Sequence, residues 1–78
     1  MKFTHYFQFT RTRPDRAIIQ EEWIERALHN PMSEVVQADG RIRRSTRVAE
    51  MEGRFLRVIV LKDGETVHNA FFDSRFTP

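Results

Sequence analysis

The chain predicts an α+β fold, with helical structure near its N-terminus packed on a four-stranded antiparallel β-meander. Three observations carry this reading. Ile19, Trp23 and Ala27 recur at i, i+4 and i+8, and Ile24 and Leu28 widen the stripe, as in an amphipathic helix over 18–30. Asp39-Gly40 and Asp63-Gly64 each separate runs of alternating apolar and polar residues, the signature of two-residue hairpins with type I′ turns. The run 54–62 carries apolar residues at both alternating sets (Phe55, Ile59, Leu61; Leu56, Val58, Val60), which suits a central strand covered on both faces.

Taken in order, the first segment, 2–13, admits two descriptions. Phe3, His5, Phe7 and Phe9 alternate as in a strand, whereas Phe3, Tyr6, Phe7 and Thr10 also form a helical stripe. The helix over 18–30 allows Glu22 and Arg26 to pair at i, i+4. It ends at Asn30-Pro31, since proline disfavours helical geometry in the residue before it. Strands follow over 34–38, 41–48, 54–62 and 65–72. Gly53 offers positive φ in the connection between the middle two. The segment from Asp73 onward is expected to be loosely held, with Phe76 placed to tuck back onto the sheet.

Seventy-eight residues suit one small domain, which buries only about 60% of its unfolded surface and is marginally stable alone. Cysteine is absent, which excludes disulfides and thiolate zinc sites. His5, His29 and His68 have no neighbours at metal-ligand spacing, so neither metal nor cofactor is expected. No apolar run approaches a membrane span and no signal-peptide pattern appears, so the expectation is a cytoplasmic chain without membrane attachment.

Eleven of the thirteen basic residues are arginine, within a net charge of +2. The guanidinium fork suits phosphates and carboxylates, although arginine-favouring codons would produce the same bias. The densest basic run is Arg41-Ile42-Arg43-Arg44-Ser45-Thr46-Arg47. Strand alternation sends Arg41, Arg43 and Arg47 to one face and Ile42 with Arg44 to the other, and three arginines on one face can track a phosphate backbone. Such charges also keep a sheet edge from aggregating. Arg11, Arg13 and Arg16 around Pro14-Asp15 form a second basic cluster.

A two-residue turn at Asp63-Gly64 would pair Lys62 with Glu65, Ile59 with His68 and Arg57 with Ala70. Leu56, Val58, Val60, Val67, Asn69 and Phe71 would then face the core. Phe55, Arg57, Ile59, Leu61, Thr66, His68, Ala70 and Phe72 would share the other face. Arg57 and His68 become diagonal neighbours there, about 7–8 Å apart at the backbone. A histidine that titrates near neutrality beside a guanidinium is the equipment of a metal-independent ribonuclease. A half-buried histidine and an arginine lying over Phe55 would be the structural counterpart of the same pair.

The arrangement His5, Arg13-Pro14-Asp15-Arg16, Trp23, Ala38-Asp39-Gly40-Arg41-Ile42-Arg43-Arg44, Leu56-Arg57-Val58 and Val67-His68-Asn69-Ala70-Phe71-Phe72-Asp73 resembles a family of small bacterial proteins of unknown function. That family is similar to the RelE/ParE-type toxins. The resemblance implies two helices on a curved antiparallel sheet, with 2–13 largely helical. It also implies ribosome-dependent RNA cleavage or gyrase poisoning, and a small antitoxin partner. Relatives show a histidine followed four and eight residues later by arginines. Here His5 and Arg13 match, but Phe9 stands between them. A ribonuclease role would fall on Arg57 and His68, with Arg43, Arg44 and Arg47 touching substrate.

Three functions follow. The first is a non-catalytic module that binds a partner protein or RNA through Arg41, Arg43, Arg44, Arg47 and Arg13. The second is a toxin-type ribonuclease. The third is a homodimeric interaction protein pairing through Phe55 and Phe72.

Overall fold

Residues 1–76 are described by the structure, a computed structural model. In chain order it contains β1 (Lys2–Phe3), α1 (His5–Thr10), α2 (Pro14–Ala17), α3 (Glu21–His29), β2 (Ser33–Val36), β3 (Ile42–Val48), a 3₁₀ turn (Ala49–Met51), β4 (Arg54–Val60) and β5 (Thr66–Phe72). The fold is α+β, with a five-stranded mixed sheet in the order β1-β5-β4-β3-β2. The expected meander is present as β2 to β5, every neighbouring pair antiparallel. The added strand is β1, which pairs parallel to β5.

Both descriptions of the first segment hold in part. Lys2 and Phe3 pair with Thr66 and Val67, and the ladder continues through the Thr4 N–H to the Val67 carbonyl at 3.0 Å. Thr4 then turns the chain into α1 as its N-cap, its hydroxyl accepting the Phe7 N–H at 3.1 Å. The helix expected over 18–30 is shorter. Pro14 opens a helix of its own, a position where its missing N–H costs nothing. The backbone is extended again at Gln20 before α3 begins. This break lets Ile19 join Trp23, Ile24 and Ala27 in the core. Arg26 turns from Glu22 to Glu50, which takes both of its terminal nitrogens.

Both Asp-Gly turns differ from the expected type. A type I′ turn needs positive φ at both central residues, yet neither Asp39 nor Asp63 has it, and only the glycines do (Gly40 +90°, Gly64 +78°). At the first turn the Gly40 N–H reaches the Gln37 carbonyl and the Gln37 N–H reaches Arg41. The loop therefore has three residues. At the second, Leu61 receives the Gly64 N–H and donates to Thr66, leaving a loop of four.

The second hairpin begins in the expected register, with Val60 opposite Val67, and then shifts. Ile59 faces Asn69, Arg57 faces Phe71 and Leu56 faces Phe72. His68 is the extra residue of a β-bulge. The shift has a physical reason. Without it Asn69 would be driven into an apolar core with its amide unsatisfied. With it, Ala70 and Phe72 take the core side, while Asn69 and Phe71 go to the opposite face. The core comprises Phe7, Ile19, Trp23, Ile24, Ala27, Val48, Leu56, Val58, Val60, Val67 and Ala70, with Phe72 packed against it. Phe55 and Phe72 therefore lie on opposite faces. The Phe72 ring meets Trp23 edge-on at 6.2 Å, so the two phenylalanines do not form a shared self-pairing face.

Candidate arginine-lined sheet face

Cross-strand pairing builds the face away from the helices. Ser33 lies opposite Ser45, which lies opposite Arg57, which lies opposite Phe71. On either side of this row stand Val35, Arg43, Ile59 and Asn69, and Arg47 with Phe55. Strand alternation thus places Arg43 and Arg47 on one face, as their spacing in the sequence implied, and the β3–β4 register sets both beside Arg57. Arg41 lies at the turn before β3, held by Asp39 at 3.7 Å.

Aromatic rings hold the Arg47 and Arg57 guanidinium groups in place. Arg47 lies over Phe55 at 4.8 Å from the ring centre, and Phe71 is flanked by Arg16 at 5.3 Å and Arg57 at 5.8 Å. Arg57 is paired with Asp73 at 2.5 Å, and both are mostly buried. Arg43 and Arg47 have no carboxylate partner among the described residues. Between Arg43 and Arg57 lies a cavity of about 130 Å³, lined also by Ser33, Val35, Ser45 and Phe76. The Nε atoms of both arginines are buried without a hydrogen-bond partner among the described residues. Phe76 is carried back onto the sheet by the segment after β5. Its ring meets Phe55 at 4.8 Å, and the Asp73 N–H reaches the Phe55 carbonyl at 2.9 Å. Thr77 and Pro78, the last of the segment expected to be loosely held, lie outside the described residues.

Arg44 takes the opposite side of β3, as alternation predicted. It binds Glu34 at 2.7 Å and the Gly64 carbonyl at 3.0 Å, tying β2 to the second turn. Arg13 precedes α2 and is exposed, with no side-chain hydrogen bond at the helix start. The second basic cluster reaches the sheet through Arg16 instead, which donates to the Asn69 side chain at 2.7 Å.

The bulge gives His68 different neighbours from Arg57. Its ring stacks on Tyr6 at 4.9 Å, and its Nδ1 lies 3.1 Å from the Thr4 hydroxyl. That hydroxyl accepts the Phe7 N–H and keeps both its own hydrogen and a second lone pair for Nδ1, so either neutral tautomer of the ring completes the bond. Burial, and then the charge of Arg41, push the His68 pKa below its ordinary value. Among the described residues, no hydrogen bond or ring contact joins His68 to Arg57.

Sequence reasoning grouped Arg16 with the second basic cluster without its contacts to the sheet, and missed Asp73, Ser45 and Tyr6 as site residues. Pro14 was the available signal for Arg16, because a proline-led helical turn projects the residue two positions on. Asp73 and Tyr6 come from outside the strands they meet and had no local signal. In comparisons with known proteins, the chain matches no family model, no curated protein and no solved structure.

Proposed function

We propose that this chain is a non-catalytic binding module that takes single-stranded RNA on its arginine-lined sheet face. The observation that carries this reading is the imbalance of charge there. Among the described residues Arg43 and Arg47 stand together on the face without an acid, whereas elsewhere Arg11, Arg26 and Arg44 each have a glutamate and the unpaired Arg13 and Arg54 stand apart, before α2 and at the start of β4. Arg43 is partly buried, and such a guanidinium is favourable only when an anion offsets its lost hydration, whereas Arg47 is exposed at the edge of the same face. A phosphate backbone supplies such anions in series, and arginine binds each through two parallel hydrogen bonds.

The test is fluorescence anisotropy of a labelled oligouridylate with the intact chain and with Arg41→Gln, Arg43→Gln and Arg47→Gln variants. Losses of similar size at each position support the module. Undiminished binding in all three variants would refute it, as would capture of a small acidic protein in place of RNA.

A second reading is supported by His68. With Nδ1–H donated to the Thr4 hydroxyl, the unprotonated Nε2 of a neutral ring beside Arg41 can accept a proton from an RNA 2′-hydroxyl, which is the step a toxin-type ribonuclease requires. In that reading Arg41 is the neighbouring cation, Arg57 being paired with Asp73, and a small antitoxin-like protein would be the partner. Cleavage of RNA by the intact chain and not by a folded His68→Ala variant would establish it. Metal-independent cleavage that persists in the variant would remove His68 from the mechanism.

A further inference from the structure

We propose that the cavity between Arg43 and Arg57 is a seat for one phosphate group, and that the Asp73 carboxylate is an internal stand-in which a doubly charged phosphate displaces. The proposal rests on the polyanion-binding reading of this face and specifies where one phosphate is held. Its ground is geometric. Arg43 and Arg57 both line a cavity of about 130 Å³ whose remaining walls include two serines, Ser33 and Ser45. Both Nε donors are buried and, among the described residues, unpaired, although nearly all buried donors in folded proteins are satisfied. The space admits a group of the size of phosphate and is too small for a nucleoside.

Charge sets the order of events. With Asp73 on Arg57, the cavity retains the single positive charge of Arg43, which matches one phosphodiester. A phosphate monoester, or inorganic phosphate near neutral pH, carries close to two negative charges and is matched only when Arg57 is also released. Asp73 sits on the segment that brings Phe76 to the cavity wall, where it is held by the Phe55 carbonyl and ring. Displacing the carboxylate therefore loosens the segment that closes the cavity.

The experiment follows the arginine Nε–H signals of the intact chain by NMR during titration with inorganic phosphate at constant ionic strength, chloride serving as the control. The Arg43 and Arg57 signals are expected to move together and to saturate. Arg43→Gln should abolish the saturable shift. Asp73→Asn should tighten phosphate binding by about tenfold, and Phe76→Ala, which leaves the charge unchanged, by less. Shifts that track chloride equally, or an unchanged affinity in a folded Asp73→Asn variant, would overturn the proposal. Loss of oligouridylate binding with phosphate binding intact would sink the RNA reading alone.

Discussion

Asp63 concentrates three hydrogen bonds on one exposed carboxylate. The Thr66 hydroxyl donates to one oxygen at 2.5 Å, and the Glu65 and Thr66 N–H groups donate to the other at 3.0 and 2.9 Å. These bonds, the Thr66 hydroxyl first, lower its pKa to about 2. The folded pKa lies below the unfolded one, so the stabilisation is complete above the ordinary carboxylate range and is lost as pH falls toward 2. Asp63→Asn should lower the melting temperature at pH 7 and flatten the acid limb of the stability profile, as thermal melts across pH 2–6 would show. His68 has the same sign for a different reason. Its folded pKa is depressed by burial and by Arg41, so the contribution of its neutral form is present above about pH 6.5 and fades below it. An NMR titration should place its midpoint below that value, and Arg41→Gln should move the midpoint upward. The aspartates and the histidine were visible in the sequence. The partners of His68 were not, because Thr4 and Tyr6 reach it from more than sixty residues away.

At the scale of elements, Thr4 joins β1, α1 and β5. Its N–H extends the parallel ladder, and its hydroxyl caps the helix and contacts His68. Thr4→Ala should cost about 1 kcal/mol in chemical denaturation, as loss of an N-cap does. Thr4→Ser, which keeps the hydroxyl, should recover most of that cost. The four strands from Ser33 to Phe72 were legible because apolar alternation and glycine turns report strands directly. β1 was hidden in an ambiguous aromatic segment, since two residues are too few to establish a period. The bulge was hidden for another reason. Ideal alternation tolerates one amide in the core as a flaw, whereas the folded chain inserts His68 and keeps Asn69 out. That single extra residue separated Arg57 from His68 and put Phe55 and Phe72 on opposite faces.

For the whole molecule, the sheet divides two tasks. One face buries Leu56, Val58, Val60 and Val67 completely beneath the helices, while the other presents arginines among aromatic rings. No helix among the described residues is long and apolar enough to cross a membrane. The basic face could be read from the run 41–47. Which of its arginines stay unpaired could not be read, because the acids that neutralise the others (Glu21, Glu34, Glu50, Asp73) come from separate elements. The claim that this face takes RNA is tested most directly by the salt dependence of oligouridylate affinity. We expect log K to fall linearly with log salt, by about 0.7 for each phosphate contact on a single strand. Replacing Arg41, Arg43 and Arg47 together should remove most of that slope while the protein stays folded. Absence of binding at low salt, or a slope unchanged in the triple variant, would contradict the account.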